Sequence, residues 1–192
     1  MHNSVNSNYL KKVILMQIEI ATFGAGCFWC IEAIIKRLKG VGNIVSGYTG
    51  GTVPGLPTYR EVCSGLTGHA EVVQVTFDSD MLSYHDLVTV FMTSHDPTQL
   101  NKQGADRGTQ YRSVIYYHSN KQREVAINVF SEIENYFPEP IVTELSEVKE
   151  FHIADKEHQD YYNKNFGNGY CSIVIDPKIT RLRTMFSDLL KA

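Results

Sequence analysis

Two cysteines stand one helical turn apart in the stretch Gly24-Ala25-Gly26-Cys27-Phe28-Trp29-Cys30. The preceding residues, 18 to 23, read as a strand, and apolar residues then recur at helical spacing before Gly40, at Ile31, Ile34, Ile35 and Leu38. Cys27 is therefore expected at a helix N-terminus, where unpaired backbone N–H groups and the helix dipole favour a thiolate. The spacing predicts redox sulfur chemistry.

Two other interpretations of these cysteines stay open. Free cysteines are often buried packing residues, and a CxxC pair can be half of a zinc site. A zinc site needs two more ligands at suitable spacing, whereas the remaining cysteines, Cys63 and Cys171, are single and far apart in the sequence. Redox chemistry is therefore favoured, and no metal site is expected.

Residues 71 to 77 form the second chemical feature, a strand that places Glu71 on one face with Val73, Val75 and Phe77. A carboxyl group in apolar surroundings has a raised pKa, because desolvation penalises the ion, and it can then donate a proton near neutral pH. The alternative is that Glu71 lies solvated at the strand end. Periodicity alone does not decide between the two.

A third cluster, residues 104 to 113, combines polar groups, among them Asp106, with Tyr111 in a loop that leads into a strand. Such loops often carry function, but they are also ordinary turns. The spacing alone leaves both interpretations open.

Composition limits the class of protein. The chain has 192 residues, of which 43% are hydrophobic and 20% charged, values that suit one globular domain with a substantial core. The net charge of −3 and the lack of a dense basic cluster argue against a nucleic-acid partner.

The apolar run within residues 13 to 20 is too short to span a bilayer and lacks a convincing cleavage site, so neither a membrane segment nor a signal peptide is expected. Four cysteines in a chain of this size are expected to be reduced thiols in the cytosol rather than structural disulfides.

Strand and helix patterns alternate along the chain and predict one α/β or α+β domain. The loop at residues 47 to 57 is too rich in glycine and proline to be regular. Further strands are expected at residues 41–46, 113–117 and 141–145, and helices at residues 83–93, at 121–136 and from Pro177 onward.

Together these features resemble one family, the peptide methionine sulfoxide reductases of the A type. The motifs that carry the resemblance cover nearly everything from Ile18 onward. They are Gly26-Cys27-Phe28-Trp29, Gly47-Tyr48-Thr49-Gly50-Gly51, Pro57-Thr58-Tyr59-Arg60-Glu61-Val62-Cys63-Ser64-Gly65, Thr67-Gly68-His69-Ala70-Glu71, His95-Asp96-Pro97-Thr98, Gly108-Thr109-Gln110-Tyr111-Arg112-Ser113, His158-Gln159-Asp160-Tyr161 and Gly169-Tyr170-Cys171.

The resemblance implies a cofactor-free enzyme that reduces the S epimer of methionine sulfoxide, free or in proteins, and so repairs oxidatively damaged proteins. Cys27 would be the nucleophile and become a sulfenic acid, while Glu71 would protonate the sulfoxide oxygen. Other matching positions would surround that oxygen (Tyr59, Asp106 and Tyr111) or form the pocket for the substrate methyl group (Phe28 and Trp29).

The resolving cysteine is where the chain departs from the commonest family pattern, since many members have glycine at the position of Cys30. A CxxC disulfide can form at a helix N-terminus without large backbone movement. Cys171 matches a tail position that resolves in relatives, and nearby glycines would let it swing in. Cys30 is expected to resolve first, with Cys171 passing the disulfide outward, whereas Cys63 is expected only to pack.

The histidines have weaker claims to chemistry. His69 and His158 are expected to orient neighbours or fill core sites rather than react, because satisfied structural histidines are the commoner case. His95 is expected in a turn.

The resemblance also implies a fold and a partner. The fold would be a two-layer plait around a mixed sheet, loop-rich with a long C-terminal tail, with residues 1–17 a flexible extension and 18–192 a single catalytic domain. Thioredoxin would reduce the disulfide, and the protein is expected to be a cytoplasmic monomer. Two rivals are a general thiol–disulfide oxidoreductase, which would not need Glu71, Tyr59 or Tyr111, and a noncatalytic zinc module.

Overall fold

The computed structural model describes residues 17–191, so the expected N-terminal extension lies outside the described residues apart from Gln17. Its centre is a mixed sheet of six strands in the order β7-β6-β1-β3-β2-β8. The strands are β1 (Ile18–Gly24), β2 (Val41–Thr49), β3 (Ala70–Asp78), β6 (Val114–Tyr117), β7 (Glu144–Glu147) and β8 (His152–Ile153), and a small separate hairpin joins β4 (Lys102–Gln103) to β5 (Asp106–Arg107).

Six α-helices accompany the strands within the described residues. They are α1 (Phe28–Ile35), α2 (Tyr59–Cys63), α3 (Tyr84–Thr93), α4 (Asn120–Ile133), α5 (Tyr161–Lys164) and α6 (Asp176–Met185). A π-helical turn, Cys171–Ile175, leads directly into α6. Short 3-10 turns occupy Thr109–Tyr111, Glu134–Tyr136, Lys156–His158 and Ser187–Leu189.

The middle of the sheet is antiparallel. Strand β1 pairs with β3, so that Phe23 lies opposite Val73, and β3 pairs on its other side with β2, so that Glu71 lies opposite Tyr48. Among the strands of residues 17–191, only β6 and β7 pair in parallel, which makes the sheet mixed as predicted. The start of α1 therefore follows directly from β1, one strand away from Glu71.

Helices α1, α3 and α4 cover one face of the sheet, where the main core lies. Helix α1 is buried on nearly all sides, because it packs against β2 and β3 and also against α5 and α6. The opposite face carries a smaller apolar cluster of Ala70, Val72, Val114 and Tyr116, partly covered by Val148 and Phe151. This arrangement explains why β3 is buried on both faces.

Several predicted boundaries were wrong. Helix α1 ends at Ile35, so Leu38 lies beyond it, and β2 continues into the glycine-containing stretch as far as Thr49. The last long strand is Glu144–Glu147 rather than residues 141–145, because its register is fixed by pairing with β6. Helix α6 buries Ile179 and Leu182 but exposes Met185.

Candidate active site

Cys27 is the N-cap residue of α1, as predicted, and its carbonyl accepts the first helical hydrogen bond from the Cys30 N–H at 3.1 Å. The preceding Gly26 has a φ of +72°, and a Cβ there would come within 2.7 Å of the Gln103 side chain. Its N–H donates to the Tyr111 carbonyl at 3.1 Å. A glycine is therefore required for the chain to turn from β1 into α1 beside the β4–β5 hairpin.

Glu71 lies at the start of β3 with only 1% of its surface exposed. Its Oε2 accepts a hydrogen bond from the Phe28 N–H at 3.2 Å, which places the carboxyl group at the N-terminus of α1 next to Cys27. Burial raises the pKa of Glu71 to about 8, although the Phe28 N–H lowers it. The alternative of a solvated carboxylate at the strand end is wrong, and Glu71 can hold a proton at neutral pH.

The Cys27 thiol does not have the lowered pKa expected of a helix N-cap. Only 8% of Cys27 is exposed, and burial raises the pKa of the thiol, with further increases from the charges of Glu71 and Cys30. A hydrogen bond with the Tyr170 hydroxyl lowers the pKa but does not outweigh these effects. The expectation of a resting thiolate was wrong, because desolvation outweighs the helix dipole here.

Tyr59, Tyr111 and Asp106 come from a short helix, a 3-10 turn and a hairpin, and all three lie near Glu71 or Cys27. Tyr59 is the first residue of α2, whose N-cap Thr58 accepts from the Glu61 N–H in a capping box. Burial, followed by the charge of Glu71, raises the pKa of Tyr111, and burial also raises that of Tyr59. Both hydroxyls therefore stay protonated and can donate hydrogen bonds.

Asp106 belongs to the β4–β5 hairpin and lies next to Cys27. Burial raises its pKa, while a hydrogen bond from the Cys27 backbone N–H and the charge of Lys178 lower it. Its charge in turn raises the pKa of Glu71. The charge of Asp106 therefore acts on Glu71 across the start of α1.

Aromatic rings form a cluster beside these polar groups. Phe28 is buried, whereas Trp29 is half-buried and stacks on Tyr161 with ring centroids 3.6 Å apart and an interplanar angle of 5°. The His158 ring lies 5.7 Å from Trp29 and 4.4 Å from Tyr59. This cluster, which we call the aromatic wall (Phe28, Trp29, Tyr59, His158 and Tyr161), provides apolar surroundings beside Cys27.

His158 and Tyr161 were not singled out as wall residues, although the motif His158-Gln159-Asp160-Tyr161 was part of the family resemblance. His158 is buried, and neither ring nitrogen has a hydrogen-bond partner among residues 17–191. Burial lowers its pKa, so the ring is neutral at physiological pH. The motif was the available signal, but nothing in its spacing shows that it returns to α1.

The cysteines Cys30 and Cys171 lie in one apolar cluster with Ala33, Tyr162, Ile175 and Ile179. Cys30 is 2% exposed and Cys171 is completely buried. The charge of Cys30 raises the pKa of both Cys27 and Cys171, so Cys30 is a near neighbour of each of the other two thiols. Cys171 therefore lies in a packed π-helical turn, and its predicted movement toward the other thiols would require this turn to open.

The Tyr170 hydroxyl lies between the first two thiols, 3.8 Å from the Cys30 Sγ and in hydrogen-bond contact with Cys27. Its ring meets Trp29 edge-on, with centroids 5.7 Å apart. Each of the four cysteines is a free thiol. The tail therefore contributes a tyrosine and a cysteine to the surroundings of α1.

The remaining singled-out residues occupy supporting positions. Cys63 is half-buried at the end of α2 and interacts with the hydroxyls of Tyr59 and Tyr111, so it borders the site as well as packing. His69 accepts a hydrogen bond from the Gly51 N–H at 3.2 Å, an orienting contact. His95 is buried and bonded to the Phe91 carbonyl and the Ser113 hydroxyl, so it is a core residue rather than a simple turn residue.

Comparison with known proteins agrees with this geometry. Residues 19–189 match the family model described as "Peptide methionine sulfoxide reductase". A protein named peptide methionine sulfoxide reductase MsrA from Saccharolobus solfataricus is 49% identical over 174 residues, which cover 91% of this chain and 98% of that protein. The protein of the same name from Natronomonas pharaonis is 50% identical over 170 residues, 88% of this chain and 95% of that one.

Solved structures give the same result. The reduced form of Mxr1 from Saccharomyces cerevisiae superposes with a TM-score of 0.71 at 32% identity, covering 77% of this chain and 86% of the yeast chain. Methionine sulfoxide reductase A of Corynebacterium diphtheriae superposes with a TM-score of 0.69 at 36% identity, covering 77% of this chain and 75% of that one. Within residues 17–191, no helix combines the length and apolar character needed to cross a membrane.

Proposed function

We propose, from the premise that this chain belongs to the peptide methionine sulfoxide reductase family, that it reduces the S epimer of methionine sulfoxide through Cys27. The observation that carries the proposal is the placement of the Cys27 thiol and the buried, protonated Glu71 carboxyl group at the same helix N-terminus. A nucleophile and a proton donor are the two groups that removal of a sulfoxide oxygen requires.

In the first step the Cys27 sulfur attacks the sulfoxide sulfur while Glu71 protonates the oxygen. The raised pKa values keep both groups neutral at rest, so the thiol proton replaces the proton that Glu71 gives up. The attack forms a bond between the Cys27 sulfur and the methionine sulfur. The hydroxyl group then transfers to the Cys27 sulfur as the S–O and S–S bonds break, so the methionine thioether leaves and Cys27 becomes a sulfenic acid. The protonated hydroxyls of Tyr59 and Tyr111 donate to the oxygen, and Asp106 orients the approach at the Cys27 backbone.

The aromatic wall accounts for the position of the substrate methyl group. Phe28 and Trp29 offer an apolar surface directly beside the nucleophile, and Tyr161 covers the indole face. When the substrate methyl group lies against these rings, the sulfoxide oxygen points toward Glu71. When the methyl group, the oxygen and the direction of the rest of the side chain are all fixed, only one epimer fits, which supports specificity for one sulfoxide configuration.

Cys30 is the first resolving residue in this proposal. Its thiol attacks the Cys27 sulfenic acid, water leaves, and a Cys27–Cys30 disulfide forms across one helical turn, where the backbone contact of 3.1 Å already exists. Cys171 lies beyond Cys30 and can accept the disulfide by exchange, which requires the packed turn at Cys171 to open. The exchange frees Cys27 as a thiol and leaves a Cys30–Cys171 disulfide, which the open turn exposes to the reductant.

Thioredoxin is proposed as the reductant, with oxidised proteins and free methionine sulfoxide as substrates. A structure of the yeast protein Mxr1 in complex with Trx2 supports this partner by analogy. Four free thiols support a reducing compartment, for which we propose the cytoplasm, and residues 18–192 are proposed as the catalytic domain.

The test is NADPH oxidation coupled through thioredoxin and thioredoxin reductase, with each resolved epimer of methionine sulfoxide as substrate. Turnover of the S epimer alone, abolished in Cys27→Ser, is the expected result. Equal turnover of both epimers, or of neither, would contradict the proposal. Reduction of insulin disulfides without sulfoxide turnover would instead favour a general thiol–disulfide oxidoreductase.

A further inference from the structure

The segment that carries His158 and Tyr161 has little regular structure of its own. It runs from β8 through one 3-10 turn to the four-residue helix α5. Side chains hold it in place, because Gln159 donates to the Ser46 carbonyl at 2.8 Å and accepts from the Ser46 N–H at 2.9 Å. That clamp fixes the segment to β2 but leaves the Tyr161 end to be held by another element.

Glu32 provides the second clamp, from α1. Its side chain is 2% exposed, and its two oxygens accept hydrogen bonds from the N–H groups of Asp160 at 2.8 Å and Tyr161 at 3.3 Å. Asp160 has a φ of +55°, a left-handed conformation that costs energy in a residue with a side chain. A buried carboxylate that pairs with two backbone N–H groups can maintain that conformation.

The clamp and the aromatic wall share one helix. Trp29 and Glu32 are three residues apart on α1, so they lie on adjacent turns of the same side. The Tyr161 N–H binds Glu32 while the Tyr161 ring stacks on Trp29 at 3.6 Å. The carboxylate therefore fixes the backbone from which the covering ring projects.

We propose that Glu32 is a positioning residue of the substrate pocket, because its carboxylate holds the Asp160–Tyr161 backbone so that the Tyr161 ring covers Trp29. This inference rests on the proposed function for its kinetic consequence, but not for the placement itself. The nearby Lys36–Asp160 ion pair, at 2.7 Å, has both side chains 36% exposed and contributes little to the same placement. Lys36 therefore offers a matched control.

Trp29 is the only tryptophan in the chain, so tryptophan fluorescence reports directly on the stacked ring. In Glu32→Gln, one backbone N–H loses its acceptor and faces an amide donor instead. Acrylamide should then quench Trp29 more strongly than in the wild type, and KM for the S sulfoxide should rise about tenfold with kcat within about twofold, the pattern of lost uniform binding. Lys36→Met should leave both quantities unchanged.

A double-mutant cycle with Tyr161→Ala tests whether Glu32 affects the exposure of Trp29 through the Tyr161 ring. If Glu32 acts through the Tyr161 ring, Glu32→Gln adds no further quenching in the Tyr161→Ala background. Additive effects, or wild-type quenching and KM in Glu32→Gln, would overturn the inference. Absence of wild-type sulfoxide turnover would instead refute the proposed function, and the fluorescence cycle would still decide the role of Glu32.

Hydrogen exchange in the wild type gives a measurement that does not depend on the variants folding. The amides of Asp160 and Tyr161 should exchange far more slowly than that of exposed Asn163, since the Glu32 carboxylate occupies them. Equal, fast exchange of all three amides would show that Glu32 does not hold the segment.

Discussion

The groups of the site come from two regions that are built in different ways. The first, the strand–helix region, consists of β1, α1 and β3, and backbone hydrogen bonds along paired strands fix Cys27 and Glu71. The second, the C-terminal region of residues 150–175, contains one two-residue strand, one four-residue helix and a π-helical turn. Side chains such as Gln159 and Glu32 hold it in place.

The two halves of the reaction, removal of the oxygen and transfer of the disulfide, therefore depend on different kinds of structure. Oxygen removal needs fixed distances between nucleophile, acid and substrate, which the strand–helix region provides. Disulfide transfer needs a thiol to move, and the packed but irregular turn at Cys171 can open more cheaply than a central strand. Variants of Cys27 and Glu71 should therefore abolish or slow the chemistry, whereas variants of the second region, and of the α1 residues Cys30 and Glu32 that contact it, should alter binding or recycling.

The largest effect is expected for Cys27→Ser, because a serine hydroxyl cannot replace a thiol as the sulfur nucleophile. Turnover in the coupled assay should fall below detection. Cys63→Ser is the matched control, since Cys63 borders the same site, and it should keep turnover within about threefold. Loss of activity in both variants alike would mean that the strand–helix region does not hold the sole nucleophile.

Glu71→Gln should slow the reduction step by about 10² to 10⁴-fold, the range of a lost general acid. Single-turnover measurement of the methionine formed would give this rate, with Glu19→Gln as a carboxyl variant outside the site. In the wild type, the rate should fall as the pH rises through about 8, because the protonated carboxyl is the active form. A pH profile that does not change in Glu71→Gln would contradict the assignment.

Glu71→Gln slows the reduction step, but it should make the Cys27 thiol easier to deprotonate. The charge of Glu71 raises the Cys27 pKa, so Glu71→Gln should lower it. Alkylation of Cys27 by iodoacetamide, followed by mass spectrometry across a pH series, should therefore begin at lower pH in the variant. An onset at higher pH would show that Glu71 stabilises the thiolate rather than opposing it.

Cys30→Ser tests the boundary between the two regions. It should form one equivalent of methionine at nearly the wild-type rate and then stop, since the sulfenic acid finds no thiol within one helical turn. Cys171→Ser should form the Cys27–Cys30 disulfide normally and lose at most part of its steady-state rate with thioredoxin. Full turnover in Cys30→Ser would transfer the resolving role to the C-terminal region.

The smallest effect is expected for Thr58→Ala, which removes the capping side chain of α2. The free energy of unfolding should fall by about 1 kcal/mol, a typical cost of losing such a cap. Urea denaturation measures the change, and Thr58→Ser, which keeps the hydroxyl, should retain most of the stability. A clear rise in KM in Thr58→Ala that Thr58→Ser does not show would mean that the cap also positions Tyr59.

The sequence predicted the strand–helix region well, because its signals are local. The alternation around Glu71 and the helical spacing after Cys27 gave β3, α1 and the N-cap position of Cys27. Residue propensities do not show whether the helix dipole or desolvation dominates at Cys27. The predicted direction of its pKa shift was therefore wrong. The burial of Cys27 comes partly from residues far away in the sequence, such as Tyr170, which packs against the same core cluster.

The C-terminal region was predicted less well, because its structure comes from long-range side-chain contacts. Nothing in the motif containing Tyr161 shows that its backbone binds Glu32 or that its ring covers Trp29. The position of Cys171 in a buried turn follows from its packing against Cys30 and Ile175, which composition cannot reveal. Family resemblance found these residues, but only the fold shows what they touch.

Mass spectrometry of the disulfide formed in a single turnover tests the central claim most directly. The reduced wild-type protein would be mixed with one equivalent of the S sulfoxide, quenched with acid, alkylated and digested. The account predicts a Cys27–Cys30 disulfide as the first product, appearing together with methionine. A first disulfide between Cys27 and Cys171, or methionine formed with Cys27 still reduced, would contradict it.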